Sequence, residues 1–272
     1  MTRDEKMQQI LQKEVYNAAD LVTIVELLRL PGGCPWDREQ THASIRNDLI
    51  EETYEVVEAI DNEDPALLRE ELGDVLLQVV MHAQMEREAG RCTFDDVAND
   101  VCRKMIHRHP HVFGDVKAET TGEVLANWES IKSAEKQRET VTDKLRAIPR
   151  QYPALMRAVK VGKKAKMMDF PDAASVLEKV GEELTEVKEA YLGADAVALE
   201  EEIGDLLLSV ASFARKAGVD PERALGRAVD KFIRRFAATE AAARELGTTL
   251  EAMSDAEKDI LWENAKKAEK NN

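Results

Sequence analysis

The feature that most restricts this chain is that it repeats itself. Displaced by 131 residues, Glu51–Val79 falls on Glu182–Val210 without a gap, and 15 of those 29 positions are identical. The first segment reads EETYEVVEA…EELGDVLLQV and the second EELTEVKEA…EEIGDLLLSV. The echo continues with small changes of offset. Lys104–Arg108 (KMIHR) faces Lys231–Arg235 (KFIRR), and Trp128–Lys132 (WESIK) faces Trp262–Lys266 (WENAK). Self-similarity at this period means one folding unit used twice. The units are expected over 14–138 and 156–270. The stretch 139–155, polar and carrying Pro149 and Pro153, reads as the connector, because proline removes a helix donor and restricts its predecessor.

The unit is helical. Only 13 glycines and 8 prolines occur in 272 residues, and 5% of residues are aromatic. Few breakers and abundant Ala, Leu, Glu and Lys predict an all-α fold with four or five helices per copy. In the first copy the expected spans are 17–29, 41–61, 65–89, 94–108 and 121–137. Pro31-Gly-Gly-Cys-Pro-Trp36 and Asn62–Asp64 separate the earliest ones. With 38 Lys+Arg against 53 Asp+Glu, the formal charge of −15 argues against nucleic-acid and anionic-membrane partners, both of which need a basic surface. No apolar run approaches the ~18 residues of a spanning helix. Met1–Lys13 is charged rather than signal-like, and Cys34, Cys92 and Cys102 form no CxxC pair, so a cytoplasmic setting is expected.

Four acids recur at one spacing: Glu52, Glu55, Glu71 and Asp74, then Glu183, Glu186, Glu202 and Asp205. Residues three apart share a helix face, so two antiparallel helices would bring two carboxylate pairs together. The helix that Glu71 and Asp74 open is apolar nearly all round (Leu72, Val75, Leu76, Leu77, Val79, Val80), which predicts burial, and buried acids need partners. Facing carboxylates repel and raise one another's pKa values. A hard divalent cation resolves this, since Mg²⁺ takes oxygen ligands and shares them with substrate phosphates; Mn²⁺ is the alternative. Zinc would want His or Cys within the set. A di-iron bundle would want paired Glu-x-x-His, and only Glu39–His42 has that form.

Lys104/Arg108 and Lys231/Arg235 are i, i+4 pairs, and Trp128/Lys132 and Trp262/Lys266 set a ring beside an ammonium. In an acidic chain such cations suit a polyphosphate, and the indole suits a nucleobase. His107-Arg-His-Pro-His111 has no counterpart in the second copy and reads as a helix end and turn. Arg157–Lys166 reads as a basic helix face close to the second acid set.

The pattern Glu-Glu-x-x-Glu, 15 residues, Glu-x-x-Asp resembles that of the MazG nucleotide pyrophosphohydrolases, an all-α superfamily related to dimeric dUTPases. Pro31–His42 (PGGCPWDREQTH) and Arg108–Phe113 (RHPHVF) look like further signatures of that family. The likeness covers both halves, as in the two-domain bacterial form. It implies hydrolysis of nucleoside triphosphates to the monophosphate and pyrophosphate, Mg²⁺ dependence, and homodimers whose helices pack into four-helix-bundle cores. By carry-over, the eight acids named above would bind metal, while Lys231, Arg235, Trp262 and Lys266, and their counterparts Lys104, Arg108, Trp128 and Lys132, would hold nucleotide. Where the family has a Gly-Phe-Asp-Trp turn this chain has Met168-Asp-Phe-Pro171, with Phe170 still able to stack.

The expected general base is the first acid of each pair, Glu52 or Glu183, although the sequence does not choose among the four. The rival expectation is a non-catalytic nucleotide sensor or metal-stabilised scaffold. One difference separates the copies: Lys179 precedes Glu183 by one turn, where Asp48 precedes Glu52. A lysine there meets a triphosphate and an aspartate repels it, so the second copy is expected to be the working one.

Overall fold

A computed structural model describes residues 1–135 and 140–270, the Lys270 side chain excepted. Among them are fourteen α-helices and no strand. Chain contacts divide the molecule into two compact units, Met1–Glu135 and Lys136–Asn272. The first holds α1 (Arg3–Leu11), α2 (Ala18–Arg29), α3 (Pro35–Glu39), α4 (Arg46–Asp61), α5 (Pro65–Glu88), α6 (Phe94–Arg108), α7 (Pro110–Phe113) and α8 (Thr121–Glu135). The second holds α9 (Val141–Arg146), α10 (Ala154–Lys164), α11 (Ala173–Leu192), α12 (Ala196–Lys216), α13 (Pro221–Glu245) and α14 (Asp255–Lys270).

Each unit is organised by one helical hairpin, α4–α5 or α11–α12. The two turns are built alike. Asp64 and Asp195 cap the second helix by accepting from the backbone N–H groups of Ala66 and Leu67, or of Val197 and Ala198. The residue before each cap, Glu63 or Ala194, has φ of 54°. With three-residue connections the long helices must run antiparallel.

In the first unit, Val25, Ile45, Val80, Met81 and Met85 form the core, flanked by Leu21, Leu77 and Phe94. Burying each such side chain contributes about 1.5–3 kcal/mol, which seats α2 against α5. The Pro31–Trp36 turn is tight for a steric reason. Gly32 has φ of 81°, and a Cβ on Gly33 would lie 2.2 Å from the Leu28 carbonyl oxygen. In the second unit the fully buried apolar residues are Val176, Ala211 and Ala243.

Several expectations need correction. The helix expected over 41–61 begins at Arg46, because Thr41 and Ser44 hydrogen-bond each other's backbone and Ser44 Oγ donates to Gln40 Oε1. The helix expected over 121–137 is described to Glu135, its last two residues lying outside the described region. The expected connector contains α9, started by the Thr140–Asp143 capping box, and leads to Ile148, which is 5% exposed. The charged N-terminus forms α1 through the Thr2–Glu5 box. The second hairpin helix is not buried all round within one chain: Leu72 is 52% and Leu76 37% exposed, as are Leu207 (52%) and Leu208 (47%) in the other copy. The helix end and turn read at His107–His111 is observed, α6 stopping at Arg108 and α7 starting at Pro110.

A candidate carboxylate site in each copy

The hairpins bring the expected acids together. In the first copy Glu52 and Glu55 of α4 and Glu71 of α5 each offer an oxygen, all within 4.8 Å of one another. In the second, Glu183 and Glu186 of α11 and Glu202 of α12 do the same. Glu71 and Glu183 are the buried members. Asp74 and Asp205, one turn further along, stand outside these tight groups of three.

The electrostatics follow from the crowding. Burial, followed by the charges of Asp74 and Glu55, raises the Glu52 carboxyl above its ordinary range. Glu71 is raised by burial and by Glu55. In the second copy Lys179 enters the set, its Nζ lying 3.0 Å from Glu183 and 3.2 Å from Glu182. The hydrogen bond to Glu183 holds the lysine's proton more tightly than usual. Lys179 favours ionised Glu186, yet burial together with Glu183 and Glu202 leaves that carboxyl raised. Three hard oxygen donors held this close together are a donor set suited to a small divalent cation, and neither set contains the nitrogen or sulfur donors that zinc prefers.

The expected nucleotide-binding residues meet a range of fates. Lys104 and Lys231 are exposed on α6 and α13. Arg108 is buried and donates from Nε and Nη2 to Glu135. Two cations lie over the Trp128 ring, Arg108 at 5.1 Å and Lys132 at 4.8 Å from its centroid. Arg235 donates from Nε to Glu269 at 2.6 Å. Trp262 packs against Phe232 with centroids 5.2 Å apart, and Lys266 pairs with Glu263 at 2.5 Å. Phe236, Leu250 and Trp262 line a cleft of about 500 Å³ between α13 and α14.

Sequence reasoning missed the groups that fasten the approach to each hairpin. In the second copy Asp169 accepts from Arg215 at 2.5 Å and pairs with Lys216 at 2.9 Å, fixing the turn that carries Phe170. Arg215 and Lys216 hold the Asp169 carboxyl down to about 2. In the first, Arg29 reaches Glu88 as well as the carbonyls of Asp37 and Gln40. The signal is visible as Arg29 at the end of α2 and as the charge pairs that end α5 and α12, but nothing in the sequence tells which loop each holds.

Two helical hairpins, each lined by a repeated oxygen-donor cluster and followed by a basic and aromatic helix pair, define a duplicated all-α protein. The MazG nucleotide pyrophosphohydrolase domain matches twice, over residues 40–113 and 171–238. The chain belongs to that family and is, on this footing, a hydrolase of nucleotide anhydride bonds. It is 45% identical over 249 residues to the nucleoside triphosphate pyrophosphohydrolase/pyrophosphatase MazG of Thermotoga maritima, covering 91% of this chain and 94% of that one. It is 44% identical over 261 residues to the nucleoside triphosphate pyrophosphohydrolase of Escherichia coli K12, covering 92% and 97%. A Mycobacterium tuberculosis protein of the same name is 40% identical over 154 residues, 56% of this chain and 46% of that one.

Proposed function

We propose that this chain hydrolyses nucleoside triphosphates to the monophosphate and pyrophosphate with Mg²⁺ held by the carboxylates, Mn²⁺ serving as substitute. The reading extends to broad base tolerance and to the clearance of surplus or non-canonical nucleotides in the cytoplasm. The observation that carries it is the three-carboxylate group with Lys179 bound to its edge, because that one place offers donors for a cation and a counter-charge for phosphate. The names of the Thermotoga and Escherichia relatives support the same chemistry.

When bound, the cation supplies neutralisation of phosphate charge and makes water easier to deprotonate. Glu183 accepts the proton of a water whose oxygen attacks the α-phosphorus. The bond from that phosphorus to the bridging oxygen breaks, and pyrophosphate leaves. Lys231, Arg235 and Lys266 meet the charge growing on the leaving group, and Trp262 stacks on the base. Glu52 has the equivalent role in the first copy. That copy is the weaker, since Asp48 stands where Lys179 would and Arg108 is already held by Glu135 on two nitrogens.

Homodimerisation is part of this reading. Leu72, Leu76, Leu207 and Leu208 are exposed beside the acids, and a second copy of each hairpin would complete a four-helix bundle over them. Incubation with each canonical and oxidised triphosphate and Mg²⁺, with separate detection of pyrophosphate and orthophosphate, tests the function. Release of orthophosphate, or none of either product, sinks it.

A further inference from the structure

The last helix of each copy carries a third residue in register with its tryptophan and lysine. Trp128, Lys132 and Glu135 on α8, like Trp262, Lys266 and Glu269 on α14, stand at i, i+4 and i+7 and share one face. In both copies that glutamate meets the arginine that closes the KxxxR segment of an earlier helix, at 2.5 Å for Arg108–Glu135 and 2.6 Å for Arg235–Glu269. The partners are 27 residues apart in one copy and 34 in the other, so the contact persists across connections of different length.

The two contacts consume the guanidinium differently. Arg108 gives Glu135 both Nε and Nη2, lies against the Trp128 ring and is 6% exposed. Arg235 gives Glu269 only Nε, and among the described residues its two Nη groups make no hydrogen bond, the Glu263 carboxylate being the other charge that feels this guanidinium. The other oxygen of Glu269 accepts from Arg234 Nη2 at 3.2 Å. A guanidinium is a rigid plane with five donors, so a carboxylate fixed on the Nε edge sets where the Nη edge points. Arginine otherwise gives up side-chain freedom when it binds a phosphate, and a residue that orients it beforehand lowers that cost.

We propose that Glu269 is a positioning residue for the triphosphate, holding Arg235 by Nε so that its two Nη groups are presented to phosphate oxygens. The inference rests on the reading of Arg235 as a phosphate ligand. It makes a prediction of unusual sign. Removing a negative charge beside a polyanion site would by electrostatics alone tighten binding; removing a positioning group loosens it.

The test measures pyrophosphate release by the full chain from the canonical triphosphates at saturating Mg²⁺. Glu269→Ala is expected to raise KM five- to tenfold with kcat within twofold of the parent. Glu269→Gln, whose Oε1 still accepts from Nε, is expected to stay within twofold in both. A KM that is unchanged or lower in Glu269→Ala overturns the proposal. Should that variant fail to fold by circular dichroism, Glu269→Asp keeps the charge but falls short of Nε: a threefold or greater rise in KM supports the proposal and an unchanged KM overturns it. Arg235→Ala separates the two levels. If it leaves KM unchanged, the reading of Arg235 as a phosphate ligand fails and the inference with it. If it raises KM while Glu269→Ala and Glu269→Asp do not, only the inference fails.

Discussion

Ala194 carries a φ of 54° in the turn that joins the two acid-bearing helices of the second copy. An L-residue with a side chain held there costs about 1–2 kcal/mol, because Cβ crowds the following carbonyl. Glycine has no such penalty, but it gives the unfolded chain more freedom, which takes back about 0.5–1 kcal/mol. Ala194→Gly is therefore expected to stabilise the fold by about 0.5–1 kcal/mol, a rise in melting temperature of about 1–4 °C. Gly226→Ala makes a useful comparator. It lies within α13, where an added Cβ meets nothing within 4 Å. There the reverse substitution is the stabilising one, by about 1 kcal/mol of helix propensity. Scanning calorimetry of the chelator-treated protein reads both, and pyrophosphate release should be unaffected by Ala194→Gly because no site residue changes. A melting temperature that falls or stays level in Ala194→Gly, with Gly226→Ala rising, would refute the reading of that turn as strained.

Three further outcomes are expected. In a chain whose first site is disabled by Glu71→Gln, adding Glu183→Gln should abolish the remaining rise in melting temperature that Mg²⁺ gives, and nearly all turnover, while the metal-free protein melts no lower; full activity in that double variant removes the metal assignment. In the full chain, Glu202→Gln should cost more than nine-tenths of the pyrophosphate release and Glu71→Gln less than half, and the reverse order would show that the contrast between Lys179 and Asp48 misleads. Because the Glu52 and Glu71 carboxyls are raised in the fold, their contribution to stability is full below the ordinary glutamate pKa and is lost as pH rises through the raised values. Metal-free Glu71→Gln should accordingly narrow the stability gap between pH 4 and pH 8, as followed by urea unfolding, and an unchanged gap would count against repulsion within the set.

Much of the site was legible because its chemistry lies on helices of fixed period. Glu52 and Glu55, or Glu183 and Glu186, are placed by spacing alone, and a hairpin with an Asp-capped turn is all that is needed to bring Glu71 or Glu202 to them. The sequence also marked the end of α6 through His109 and Pro110. What it hid depends on tertiary contact. The start of α4 is displaced to Arg46 because Thr41 and Ser44 satisfy the backbone locally, which helix propensity does not reveal. Pro149 and Pro153 mark 139–155 as a connector in the sequence and mask the four-residue capping box that starts α9. The sequence overstates the burial of α5, because apolar residues all round a helix do not say whether their cover comes from the same chain. Glu135 and Glu269 carry no signal in so acidic a sequence until the arginines they meet are seen.

The offset between the copies is not constant, and the change has a spatial meaning. From the arginine onward the two halves part company: α6 ends at Arg108, two residues before Pro110, whereas α13 runs on through Phe236 and Thr239 to Glu245. Those extra turns supply one wall of the cleft beside Trp262. A single proline thus sets how much room follows the arginine, while leaving every acid where it was. Duplication of this kind lets one half change the shape of its chamber by altering where a helix stops, and the oxygen donors need not change at all.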